Sequence, residues 1–329
     1  HTHAQSGQSA IFKLQTESYY ARCSRSTQIE LDGGDDLYVV AAAVTKVGTL
    51  LALSSRVTLQ TAIYHCSSSS TTVKAEQLQL ALYSGVYVQE EYTLALFSVD
   101  EFTTVQITSA AVHLLCLDKP TQSATSLQLL AAEKSVGGGV RRSCYGSDGT
   151  ECSPRASSSG APISQAEQIG VGLFAVRVGG EVLIVSVAAA DSGRDCTMRV
   201  TQILQFASEA CGVSSSSGIT PATHDGALLV VCCWDGSLAL FRNSSSCDHT
   251  LDLTQVVQNP AAVPDECSET PIRHLCVVHI YQSAEIAVHA LICVSADDKV
   301  AVQHALYNVQ QRTTQLSIAH CLSMFGGVE

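Results

Sequence analysis

LLVVCCWDGSLALFR, residues 228–242, is the stretch from which the rest of the chain can be read. An apolar run enters Trp234-Asp235-Gly236-Ser237, and apolar and polar residues then alternate. An unbroken run of Leu, Val and Cys reads as a strand covered on both faces, and period-2 alternation reads as a second strand. Asp caps the backbone of a tight turn and Gly reaches positive φ, so the stretch predicts an antiparallel hairpin.

Four relatives of this hairpin lie elsewhere in the chain. They are GLFAVRVGGEVLIVSV (172–187), ALICVSADDKVAVQHAL (290–306), LALFSVDEFTTVQI (94–107) and GTLLALSSRVTLQTAIY (48–64), the last with a shorter turn. Polar strands are expected after them at 71–80, 195–204, 248–257 and 313–320, and apolar strands before them at 37–48, 81–89 and 272–282. The result is a four-strand unit. HLLCL (113–117) and SLQLLA (126–131) look like strands of a further, poorly preserved unit. Helical stretches are nearly absent; the short candidates are 161–169 and 252–258.

Repeated four-stranded units of roughly 40–50 residues are the sequence signature of a β-propeller blade. The anchors Val57, Val105, Val182, Leu238 and Val300 recur at longer intervals, so insertions are expected. The Gly/Ser-rich segment 135–168 and the runs Ser67–Ser70, Ser214–Ser217 and Ser244–Ser246 read as loops. A blade buries its faces only against neighbouring blades. The fold expected is therefore all-β, a single propeller of six or seven four-stranded blades over 9–329 after a flexible segment 1–8. CLSMFGGVE (321–329) reads as the first strand of a blade that SAIFKLQTES (9–18) would complete, closing the ring and hiding its sheet edges.

On Trp234-Asp235, Asp235-Gly236 and Asp297-Asp298 the chain resembles the WD40-repeat family of β-propellers, over most of 37–320. Trp-Asp stands here in the turn before the third strand rather than at that strand's end, and the family's Gly-His dipeptide is missing. The His–Asp hydrogen-bond network of the family is accordingly carried onto no residue. What the resemblance implies is a rigid interaction platform. The family also contains non-catalytic subunits of RNA-modifying and RNA-processing enzymes, and a few propellers are hydrolases.

Composition narrows the function. Of 329 residues, 46% are hydrophobic and 15% charged, so a large core is expected and global disorder is not. The net charge is −12 with only 18 Lys and Arg, which disfavours direct binding to nucleic acid or an acidic membrane surface. A basic protein, or a protein–RNA particle, suits the charge better. Fourteen cysteines are scattered without a C-x-x-C pair, so they read as reduced, buried thiols in an intracellular chain rather than as a zinc site or a disulfide framework. Asn243-Ser244-Ser245 is a glycosylation sequon only if the chain is secreted. The chain starts at His1 rather than Met, which reads as a fragment or a processed product.

Chemistry-bearing patterns are few. His274, Cys276, His279 and His289 are close in sequence, but a strand splits 274 and 276 from 279, so packing is the better reading than a metal site. His224-Asp225 near Ser217 lacks a nucleophile elbow and reads as a turn. Cys232 and Cys233 face opposite sides of one strand. Gly137-Gly138-Gly139 with Arg141-Arg142 lacks a phosphate-loop pattern, and Asp32-Gly33-Gly34-Asp35-Asp36 lacks the twelfth-position Glu of a calcium loop. His1 and His3 form at most a terminal pair. No catalytic residue, metal or cofactor is assigned. The partner-binding candidates are Arg141 and Arg142, which could meet an acidic partner, and Trp234 with Asp235.

Overall fold

The computed structural model describes residues 2–5, 8–17, 20–29, 37–45, 48–55, 58–69, 77–84, 87–100, 102–117, 125–127, 140–153, 160–189, 196–216, 227–243, 249–258, 272–295, 299–317 and 320–323. Among them there is no α-helix, and none long and apolar enough to cross a membrane, which leaves strand-built spans unaddressed. The chain divides into two compact units, 1–127 and 128–329.

The first unit holds three sheets. Strands β1 (Thr2–Gln5), β2 (Gln8–Glu17) and β3 (Tyr20–Ile29) form an antiparallel sheet. Strands β4 (Leu37–Thr45), β5 (Gly48–Ser55), β6 (Thr61–Ser69) and β7 (Gln77–Leu82) form a four-stranded meander. So do β8 (Thr93–Ser98), β9 (Thr103–Thr108), β10 (Val112–Cys116) and β11 (Thr125–Leu127). Ala43, Leu50, Ala52 and Ile63 of one meander pack on Leu96 and Leu115 of the next.

The second unit repeats the plan. Strands β12 (Arg141–Tyr145) and β13 (Glu151–Cys152) precede β14 (Ile163–Gly170), β15 (Leu173–Val178), β16 (Glu181–Ala189) and β17 (Cys196–Phe206). The last four form a meander, and β12 adds to its edge, parallel to β17. The next meander is β18 (Ala210–Ser215), β19 (Leu228–Cys233), β20 (Leu238–Asn243) and β21 (Leu251–Val257). The last is β22 (Ile272–Gln282), β23 (Ile286–Ser295), β24 (Lys299–Asn308) and β25 (Thr313–Leu316), with β26 (His320–Ser323) also paired to β24. First strands of consecutive sheets lie against one another, β14 on β18 and β18 on β22.

The opening stretch forms the hairpin β19–β20. Its run is apolar throughout because both faces are covered. Leu229, Val231 and Cys233 join a core with Ile184, Leu204 and Phe206. Leu228, Val230 and Cys232 join another with Leu291, Cys293 and Ala305. All five expected hairpins are present as antiparallel pairs.

Several expectations are corrected. The pair at 113–117 and 126–131 is no separate unit: β10 and β11 complete the sheet of β8 and β9. The 94–107 hairpin is thus the first pair of its sheet, whereas the other four are second and third strands. The segment 81–89 is not a strand beyond Leu82 where described; the Gln106 side chain clasps both the N–H and the C=O of Val88 instead. Residues 135–168 are not one loop, since β12, β13 and most of β14 lie there. The 161–169 helix candidate is β14: Ile163 and Ile169 are buried, and Gln165 bonds the backbone N–H and C=O of Val213, which overrides the helix propensity of Gln, Ala and Glu. The 252–258 candidate is β21, held by its ladder to β20.

Residues 2–5 are placed in a strand, and Ser67–Ser69 and Ser214–Ser215 lie inside β6 and β18. Strand β26 is an outer strand of the β24 sheet, and β2 pairs β1 and β3. The cysteines are not all thiols: Cys144 and Cys152, directly opposite on β12 and β13 with a Cα–Cα distance of 5.1 Å, form a disulfide. Cys116, Cys196, Cys211, Cys232, Cys233, Cys276 and Cys293 are in no disulfide.

Candidate interaction surface

The β19–β20 turn is locked by its own sequence. Cys233 N–H donates to Ser237 O at 2.9 Å, Gly236 N–H donates to Cys233 O at 3.0 Å, and Gly236 sits at φ +79°. The Asp235 carboxylate accepts from the N–H of Ser237 at 3.0 Å and from its hydroxyl at 2.7 Å. Asp235 is therefore a turn cap before it is anything else.

The turn is also tied to the link between β17 and β18. Trp234 N–H donates to Glu209 O at 3.1 Å, and Asp235 N–H donates to Ser208 Oγ at 3.0 Å. The link is fixed in turn to the β15–β16 turn, because Ala210 N–H donates to Gly180 O at 3.0 Å. Gly180 is needed there: a Cβ would stand 2.6 Å from the Cβ of Glu209. The Trp234 backbone is thus held on both sides while the residue is 58% exposed.

Segments that carry carboxylates lie at the same end of the sheets. Ala207 N–H donates to Tyr145 O, which brings the 146–150 turn beside the 207–209 link. Asp148, Glu151 and Glu209 are exposed. The hydroxyl and N–H of Thr150 hold the Asp148 carboxyl below the usual range. Glu181 accepts from the Gln205 side-chain amide. Arg177 donates to the carbonyls of Gly179 and Ala210.

Trp234 and Asp235 are together; Arg141 and Arg142 are not with them. Arg141 pairs in register with Gln202 and its guanidinium donates to Asp252 at 3.1 Å. Asp252 is opposite Arg242, at the far end of β20 from Leu238 and the turn. The four residue steps from Leu238 to Arg242 span about 13 Å of extended chain.

The remaining candidates are dispersed. His274 and Cys276 are exposed, while His279 and His289 are cross-strand neighbours with ring centroids 5.1 Å apart. Burial, and next the Arg242 guanidinium, lower the pKa of His279. No group of three or more potential metal ligands occurs among the described residues. Cys232 and Cys233 do point into different cores, and burial pushes the Cys233 thiol up to about 12. His224, Asp225, Ser217, the glycines 137–139, the acidic run 32–36 and His1 lie outside the described residues, and His3 is placed in β1.

Two acid–base groups had no signature in the sequence. Glu167, on β14, is pushed up to about 7 by burial, against hydrogen bonds from Ser215 and Gln165. Thr108 donates its hydroxyl to Glu91, with His113 Nε2 at 3.3 Å from Thr108 and 3.8 Å from Glu91. Burial lowers the pKa of His113, and Glu91 opposes that shift. Thr108 and His113 are both buried, so the set has the residue types of a nucleophile and its base without access for a substrate. Its role is to hold the segment before β8.

No family model matches the chain, and no curated protein matches it. Among solved structures, the β-propeller domain of Cps50 (Swd1) from Myceliophteria thermophila is similar at TM-score 0.47 and 9% identity, covering 97% of this chain and 80% of that one. A protein from Lactobacillus plantarum is similar at TM-score 0.45 and 10% identity, covering 90% of this chain and 88% of that one. At such identities no residue of either structure is carried onto this chain.

Proposed function

We propose that the chain is a non-enzymatic interaction scaffold of the β-propeller type, similar to WD40-repeat proteins. In this reading it is a subunit of an intracellular multi-protein complex and uses no cofactor. The consecutive four-stranded meanders, stacked face to face within each unit, support the blade reading. The buried thiols of Cys232, Cys233 and Cys293 support the intracellular one, against the disulfide of Cys144 and Cys152.

The observation that carries the function is Trp234. A large aromatic ring stands in solvent on a turn whose backbone is already fixed, so binding orders little that is not ordered. Aromatic anchors of this kind dominate interface energetics. Exposed Glu209, Asp148 and Glu151 on segments at the same end of the sheets suit a basic segment of a partner protein, whose Lys or Arg can stack on the indole.

The test is copurification of the native chain with crosslinking and mass spectrometry, run on the wild type and on Trp234→Ala. A stoichiometric partner crosslinked near Trp234, lost in the variant while the melting temperature is unchanged, is the expected result. Recovery as a lone monomer, or full retention of the partner by the variant, would overturn the reading.

A further inference from the structure

Strand β18 carries a bulge. Ala210 pairs Cys233 and Gly212 pairs Cys232, and Cys211 is the extra residue between them. A bulge turns its extra side chain out of the normal alternation. Here it brings the Cys211 sulfur to 3.5 Å from the Cys232 sulfur. Gly212 makes room for this meeting, because a Cβ there would stand 2.8 Å from the Cys232 sulfur.

The two thiols differ. Cys211 is half-buried, whereas Cys232 is 2% exposed, in a core with Cys293. The hydrogen bond with Cys232 lowers the Cys211 pKa and the nearby Arg177 guanidinium adds to this, while the same bond and burial raise that of Cys232. Such an asymmetry separates an attacking thiol from a resolving one.

We propose that Cys211 and Cys232 are a redox modification site that closes to a reversible disulfide under a hydroperoxide. The Cys211 thiolate attacks the peroxide oxygen, the O–O bond breaks, and the alcohol or water leaves with a proton. The sulfenic acid so formed is attacked by the Cys232 sulfur; the S–O bond breaks, the S–S bond forms and water leaves. Two thiols and one hydroperoxide thus give one disulfide, one alcohol or water from the peroxide, and one further water. A small thiol reverses the step by exchange. Closure brings the sulfurs to about 2.0 Å and ties the strand entering the Trp234 turn to the one leaving the 207–209 link. The site stands on its own geometry and does not depend on the docking reading.

The test uses the intact chain, reduced and then exposed to one equivalent of hydrogen peroxide. It is then unfolded, alkylated and mapped by peptide mass spectrometry. A peptide joining Cys211 to Cys232, opened again by dithiothreitol, is the expected result. In Cys211→Ser, Cys232 stays alkylatable after unfolding. In Gly212→Ala, whose added methyl displaces the Cys232 sulfur, the crosslink is lost while Cys211 still oxidises. The proposal is overturned if Cys211 accumulates as sulfinic acid with Cys232 still alkylatable, or if Cys232 crosslinks to Cys293 instead.

Discussion

One face of β19 meets the sheet of β14–β17, and the other meets the sheet of β22–β26; the two interfaces are built from different materials. The first centres on three rings, with Phe241 at 5.6 Å from Tyr145 and 6.1 Å from Phe206. Two of its amides finish backbone pairing: Gln202 clasps the N–H and C=O of Leu251 at 2.7 and 3.0 Å, and Gln165 does the same to Val213. The second interface is aliphatic and holds reactive or titratable groups. Cys211, Cys232 and Cys293 line it. The Arg242 guanidinium lies 3.8 Å over the Tyr307 ring, its pKa brought down to about 10 by burial. One apolar strand thus serves a wall built round rings and backbone-clasping amides, and another lined by a thiol pair and a buried guanidinium.

The comparison breaks most readily at Phe241. Phe241→Ala opens a cavity among buried rings, with an expected loss of about 3–5 kcal/mol by urea denaturation. A loss under about 1 kcal/mol would mean that the rings do not set the stability of the first interface.

Glu167 tests how the first interface responds to pH. Its folded pKa of about 7 is above the ordinary 4.5, so the native state keeps a proton that the unfolded chain has released. Stability is therefore full below about pH 4.5, falls as the pH rises toward about 7, and is level above, by about 3 kcal/mol at most. Urea midpoints across this range should show the fall in the wild type and not in Glu167→Gln.

Gln202→Leu keeps the bulk and removes the clasp. Leaving the N–H and C=O of buried Leu251 unmet should cost about 1–3 kcal/mol, with hydrogen exchange of the Leu251 amide accelerated. Unchanged exchange would show that the clasp is dispensable. The smallest effect is expected at the ion pair of Arg141 and Asp252, whose side chains are 45% and 48% exposed. Arg141→Ala should change stability by about 0–1 kcal/mol, less in high salt. A larger loss would mean that β12 depends on the pair for its place beside β17.

The five hairpins were legible because their strands are buried strongly enough to leave an apolar pattern in the chain. The phase of the 94–107 hairpin was not legible, since any two adjacent apolar strands with a turn look alike in one dimension. Strands β12 and β14 were invisible for another reason. RRSCY and ISQAEQIG carry polar residues, and their extended state comes from pairing with β17 and β15, with the Gln165 clasp on β18, rather than from their own periodicity. Of the surface, Trp234 and Asp235 were legible as a turn pair, but the exposure of the ring depends on the 207–209 link. Glu167 and the Glu91–Thr108–His113 set left no trace, because their burial comes from the packing of sheets and not from a residue pattern.

By itself the sequence determined the class of the protein: an all-β chain of repeated hairpins, with turns set by Asp and Gly and second strands apolar on both faces. Those are consequences of local backbone geometry and of water's exclusion from apolar side chains, which act residue by residue. Tertiary structure alone decided which hairpins share a sheet, that Cys144 faces Cys152, that the bulge at Cys211 meets Cys232, and that Arg141 lies at the opposite end from Trp234. Pairing between segments far apart in the chain is settled by complementarity of edges and faces, and no single segment carries that information.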